Sequence, residues 1–101
     1  MSFKKEYFNE KKIVKVTFMV PSGYVPGAKS VAVAGEFNGW NLKADLMKKD
    51  ATGNFTLVKE LSIGREYQFR YCADGHYWFN DDNADAYAPT QFNSENSVLD
   101  A

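Results

Sequence analysis

The 101-residue sequence has a single cysteine, Cys72, and a single histidine, His76. One cysteine forbids an internal disulfide and fits a reducing compartment. One histidine excludes a multi-histidine metal site, and its place just after Asp74-Gly75 reads as an exposed turn residue rather than the base of a hydrolase triad. No apolar run approaches the ~20 residues of a membrane span. The start, Met1-Ser2-Phe3-Lys4-Lys5-Glu6, leads into charge rather than an apolar signal segment. The expectation is a cytoplasmic chain without membrane contact. Charge of neither sign prevails: 12 basic and 13 acidic residues give a net −1. Such a balance supplies no long-range field for nucleic acid. The short cluster Lys4, Lys5, Lys11 and Lys12 is interleaved with Glu6 and Glu10 and reads as solvated. A sustained 3.6-residue apolar stripe is also missing, which argues against long helices.

What the chain does have is period-two alternation and an aromatic content of 16%. Val14, Val16, Phe18 and Val20 alternate with Lys15, Thr17 and Met19, the pattern of a half-buried strand. Ser30 to Gly35 reads as a second strand. Leu46 to Lys49 and Asn54 to Ile63 flank Asp50-Ala51-Thr52-Gly53, a hairpin connection. Phe55, Leu57 and Leu61 share the inward parity, which Lys59 interrupts. Tyr67, Phe69, Tyr71 and Ala73 lie on one side of the next strand, with Gln68, Arg70 and Cys72 on the other. Asp74-Gly75 then predicts a tight hairpin returning through Tyr77-Trp78-Phe79. Asn80 to Asn93 is polar and turn-rich and reads as a long connection, and Ser97 to Leu99 as a final edge strand. Short strands with turns between them predict an all-β sandwich in a single domain, 13–101, preceded by an N-terminal tail, 1–12.

A search for catalytic groups finds no convergent set. Asp81, Asn83 and Asp85 have the spacing that opens a calcium loop, yet Ala86 stands where glycine is needed and Phe92 where the closing glutamate belongs. Asp81 and Asp82 are adjacent carboxylates on a loop, better suited to capping it than to glycosidase chemistry. Cys72 has no flanking cations that would make it a strong thiolate. No phosphate cradle follows Gly35 or Gly39. No enzyme, metal or cofactor is expected.

The placement of the two tryptophans is the feature left over. Trp40 ends Gly35-Glu36-Phe37-Asn38-Gly39-Trp40, a turn-rich loop after a strand, and Trp78 follows the Asp74-Gly75 turn. One tryptophan at such a place serves edge-of-core packing as readily as function. Two of them, with Arg70 on an outward parity, suit a sugar: indole covers the flat C–H face while amides and cations bind the hydroxyl rim.

Three stretches carry a resemblance. They are Val31-Ala32-Val33-Ala34-Gly35-Glu36-Phe37-Asn38-Gly39-Trp40, Tyr67-Gln68-Phe69-Arg70-Tyr71-Cys72-Ala73-Asp74-Gly75 followed by Trp78, and Glu95-Asn96-Ser97-Val98-Leu99. In this order the chain resembles the glycogen-binding, isoamylase N-terminal type of carbohydrate-binding module, and most closely stand-alone isoamylase early-set proteins. The resemblance implies an immunoglobulin-like β-sandwich that recognises α-1,4-glucan without catalysis. It implies stacking roles for Trp40 and Trp78, and hydroxyl contacts for Arg70, Asn96 and Ser94. It also implies an apolar wedge at Phe92. The chain departs from the family pattern in the extra Tyr77 before Trp78, in Phe92 for leucine, and in Arg70 for lysine. Because family members in larger enzymes also act as packing partners, docking onto a separate glycogen-metabolising enzyme or kinase is the alternative role.

Overall fold

The computed structural model, which describes residues 2–101, converts the period-two pattern into nine strands. They are β1 (Ser2–Phe8), β2 (Ile13–Val20), β3 (Val31–Gly35), β4 (Lys48–Lys49), β5 (Phe55–Ser62), β6 (Glu66–Ala73), β7 (Tyr77–Phe79), β8 (Ala86–Pro89) and β9 (Glu95–Asp100). One sheet has the order β1-β2-β5-β4 and the other β3-β6-β9-β8, with β7 also paired to β6. Every pairing is antiparallel. The two sheets form the expected sandwich. Among the described residues no helix is long and apolar enough to cross a membrane.

The core lies where the alternation puts it. Val14, Val16, Phe18 and Val20 of β2 are buried, and so are Tyr67, Phe69, Tyr71 and Ala73 of β6. Phe18 meets Phe69 edge-on at 5.3 Å between ring centroids and Tyr71 at 6.4 Å, the T-shaped geometry that aromatic quadrupoles favour. Lys59 breaks the apolar parity of β5 because its ammonium is paired. It sits 3.1 Å from Asp45 and 5.5 Å from the centre of the Phe37 ring. Three residues, Asp74, Gly75 and His76, connect β6 to β7, one more than the tightest hairpin, and the first two take left-handed backbone, at φ +52° and +76°. Asp74 Oδ1 accepts the Lys29 and Ser30 amides, tying this turn to the segment entering β3.

Three expectations are corrected. Residues 2–8 of the expected tail form β1, along the free edge of β2, while Met1 lies outside the described residues. Phe3 pairs with Phe18 and packs on the core, and Lys5 crosses to the other sheet, donating to Asp85 Oδ2 at 2.6 Å and to the Asp100 carbonyl at 2.7 Å. Phe3, Lys5 and Tyr7 share one parity, and the central lysine disguises the alternation.

The Asn80 to Asn93 segment is not wholly a connection, because β8 lies within it. By pairing along β9, β8 makes β9 an interior strand rather than an edge. Asp81, read as a cap for this loop, does cap it, and does so from a fully buried position. Its carboxylate accepts the Tyr71 hydroxyl at 2.6 Å and the Asn83 amide at 2.9 Å, and its own amide donates to Ser97 Oγ. Burial, then the Asp81 charge and this hydrogen bond, push the Tyr71 phenol far above its ordinary range, so it serves as a permanent donor.

Candidate functional site

The Gly35 to Trp40 stretch is mostly scaffold. An added Cβ at Gly35 would lie 2.5 Å from the Gln68 carbonyl oxygen, so only glycine fits where β3 ends against β6. The Glu36 carboxylate accepts the Gln68 amide at 2.8 Å, and Phe37 packs on the core. Asn38 is the keystone. Its Oδ1 accepts the Gly35 amide, and its Nδ2 donates to the Val33 carbonyl and to Asp45 Oδ2. Since Asp45 also pairs with Lys59 of β5, a chain of polar contacts runs from one sheet into the loop of the other. The product of this bracing is Trp40, whose amide donates to the Gly35 carbonyl and whose φ is +61°. A bulky residue there holds a backbone conformation that costs about 1–2 kcal/mol, offset by the surrounding contacts.

Strand parity supplies the second component. Arg70 on β6 and Asn96 on β9 project from the outward face, the one opposite the Tyr71 and Phe69 rings. Arg70 Nε donates to Asn96 Oδ1 at 2.7 Å and Nη2 to Ser94 Oγ at 2.8 Å. Asn96 Nδ2 donates in turn to Gln68 Oε1 at 2.9 Å. These bonds fix the guanidinium through Nε and Nη2. Among the described residues no carboxylate forms an ion pair with Arg70. Trp78 on β7 stands opposite Cys72 on the same outward face. Burial pushes the Cys72 thiol up, against a smaller opposing contribution from the Gly75 amide, which fits a structural role.

The third component is the loop between β8 and β9. Thr90 and Ser94 close it through a backbone bond and a 2.7 Å contact between their hydroxyls, and Thr90 Oγ1 also accepts the Phe92 amide. Phe92 is left at the tip with 79% of its surface exposed. An apolar ring so exposed on a braced loop has no packing role.

All six residues anticipated from the sequence converge. Trp40, Trp78, Arg70, Asn96, Ser94 and Phe92 line one concavity of about 750 Å³, together with Thr90 and Gln91. Thr90, Gln91 and Gln68 were not anticipated. Gln68 was legible from its parity with Arg70, whereas Thr90 and Gln91 needed the β8–β9 hairpin. An exposed indole and a partly buried one, a hydrogen-bonded guanidinium and amide, and an exposed ring together form a surface for a flat ligand with a polar rim. No group of three or more metal-ligating side chains occurs among the described residues.

Comparison with known proteins gives the family. A family model described as the glycogen recognition site of AMP-activated protein kinase matches residues 18–100. A 1,4-alpha-glucan branching enzyme of Butyrivibrio fibrisolvens is 41% identical over 68 residues, covering 64% of this chain and 10% of that enzyme. The chain thus spans about one-tenth of the length of this relative. With most of its length matched to the family model and its two tryptophans brought to one face, the chain belongs to the family of the AMP-activated protein kinase glycogen-recognition site.

Proposed function

We propose that the chain binds α-1,4-glucan, as in glycogen, starch or maltooligosaccharides, on the outer face of β6, β7 and β9, without catalysis. The observation that carries this reading is the convergence of both tryptophans, Arg70, Asn96, Ser94 and Phe92 on one concavity. Trp40 and Trp78 act as platforms for pyranose rings. Arg70 and Asn96 supply donors already fixed by their mutual hydrogen bond, so little side-chain entropy is lost on binding. Phe92 wedges against the chain from the β8–β9 loop. An open face of this kind gives affinities in the micromolar to millimolar range, about −4 to −8 kcal/mol. Asp81 does not serve as a glycosidic acid, because its buried carboxylate is spent on Tyr71 and Asn83.

The test is titration with maltoheptaose followed by tryptophan fluorescence, with Trp40→Ala as control. Saturable change in the wild type, lost in the variant, is the expected result. Silence up to millimolar sugar overturns it. The second reading, docking onto a separate glycogen-metabolising enzyme or kinase, draws on the branching-enzyme relative, where the matched stretch is a small part of a long chain. Under that reading a protein covers the indoles and sugar does not compete with it.

A further inference from the structure

The glucan face uses only one side of β7. On the other side, between the 24–28 loop and the Asp74-Gly75 turn, lies a second cavity of about 320 Å³. Its walls are two tyrosines. Tyr77 is 56% exposed, and its ring stacks on Phe79 with centroids 5.4 Å apart and planes 25° apart. Phe79 lies in turn 5.4 Å from Tyr71, so a column of rings rises from the core and fixes the orientation of Tyr77. Tyr24 is 46% exposed and donates its hydroxyl to Asp82 at 2.6 Å, which holds the second ring in place. Polar groups line the same cavity. Asp74 commits Oδ1 to the Lys29 and Ser30 amides, leaving Oδ2 as an acceptor. His76 places Nδ1 on the Asp74 carbonyl at 3.0 Å, leaving Nε2 as its second polar atom.

We propose that this cleft is a second α-glucan subsite, taking one or two glucosyl units of a chain that passes over the edge of β7. The proposal shares its ligand class with the reading above and rests on it to that extent. Three observations select the occupant. The cavity is at the lower end of small-ligand sites, right for a sugar or two and too small for a larger cofactor. Asp74 and Asp82 beside the tyrosines disfavour a phosphate or other anion. Exposed ring faces with a carboxylate oxygen and an imidazole nitrogen at the rim match the apolar face and hydroxyls of a pyranose. Continuity supplies the connection: Tyr77 and Trp78 are neighbours on a three-residue strand, and alternation sends them to opposite faces of it. A glucan crossing that edge meets both. Two weak subsites on one chain raise the affinity for long glucans over short ones through effective concentration.

Amide-resolved NMR titration with maltoheptaose tests the proposal on the wild type, Trp40→Ala and Tyr77→Ala. Two groups of signals are expected to move in the wild type: the Trp40 and Trp78 indoles, and the Gly27 and His76 amides. Trp40→Ala is expected to keep the second group, whereas Tyr77→Ala keeps the first and binds glycogen about three- to tenfold more weakly. Tyr24→Phe, which retains the ring and loses only the bond to Asp82, is expected to weaken the second group alone. Shifts confined to the indoles overturn the second subsite while the first stands. Shifts at Gly27 and His76 that vanish in Trp40→Ala overturn it as well, because they report a transmitted change. Shifts at Gly27 and His76 without indole shifts leave the second subsite standing and overturn the first.

Discussion

At Trp40 the needs of folding and of binding pull in opposite directions. The left-handed backbone there, at φ +61°, suits glycine, yet the position carries the largest side chain available. Trp40→Gly relieves about 1 kcal/mol of backbone strain and forfeits a comparable amount of packing. Unfolding in urea is therefore expected to shift by no more than about 1 kcal/mol while the tryptophan-fluorescence response to maltoheptaose disappears; a large loss of stability would make Trp40 a structural residue first. Gly35 is the reverse case. Its backbone is extended and open to any residue, so space alone selects glycine. Gly35→Ala drives a methyl into the Gln68 carbonyl, a backbone atom that cannot swing aside. The expected cost is about 2–3 kcal/mol, read as a lower urea midpoint at unchanged slope. Between these two stands Asn38, whose hydrogen bonds to Gly35, Val33 and Asp45 brace the loop that carries Trp40.

Among the elements, the β8–β9 hairpin separates what a sequence displays from what it conceals. Strand β6 was readable because four inward aromatic or small residues repeat at period two and Asp74-Gly75 ends the strand with a known turn. The inward parity of β1 is broken by Lys5, whose ammonium is met by the Asp85 carboxylate just before β8 and by the Asp100 carbonyl of β9, 80 and 95 positions away. Strand β8 is short and mostly exposed, so it lacks an apolar signature, and its ladder to β9 is a tertiary fact. The site divides in the same way. Trp40, Trp78 and Arg70 stood out by type and parity, while Thr90 became visible only once β8 fixed the loop that carries Phe92. This loop yields a prediction of its own. Ser94→Ala removes an acceptor of Arg70 and the hydroxyl partner of Thr90, two part-buried hydrogen bonds outside the core. Glucan binding is expected to weaken about three- to tenfold with stability changed by less than about 1 kcal/mol, measured by calorimetry and urea unfolding. Deleting residues 1–8 acts on the fold instead. It uncovers the Phe3 contacts with Phe18 and Phe69 and removes the Lys5 crosslink, so a loss of about 3 kcal/mol or more is expected.

For the whole molecule, these same hydrogen bonds set the pH range over which the sandwich is stable. The Thr52 hydroxyl and nearby backbone amides hold the Asp50 carboxyl below its ordinary range, and the Lys29 and Ser30 amides do the same for Asp74. A depressed carboxyl contributes its stability above the unfolded value, about pH 4, and loses it as pH falls through the folded value. Tyr71 acts at the other end. Its raised phenol contributes fully below the unfolded value, about pH 10, and its contribution declines above that as the unfolded chain ionises. The urea midpoint, followed from pH 3 to 11, is therefore expected to contain an acid limb below about pH 4 and an alkaline limb above about pH 10. Each limb has its own variant. Asp74→Asn keeps an oxygen for the Lys29 and Ser30 amides but cannot titrate, so the acid limb becomes shallower. Tyr71→Phe removes the alkaline contribution, and it lowers stability at neutral pH by about 1–3 kcal/mol, because the buried Asp81 carboxylate loses its hydroxyl donor. An acid limb unchanged in Asp74→Asn would place the acid sensitivity elsewhere, and an alkaline limb unchanged in Tyr71→Phe would show that Tyr71 does not govern unfolding there. The tyrosine that ties Asp81 into the core also begins the ring column ending at Tyr77, so Tyr71→Phe, which keeps the ring, should leave the Gly27 and His76 shifts with maltoheptaose in place even as the fold weakens.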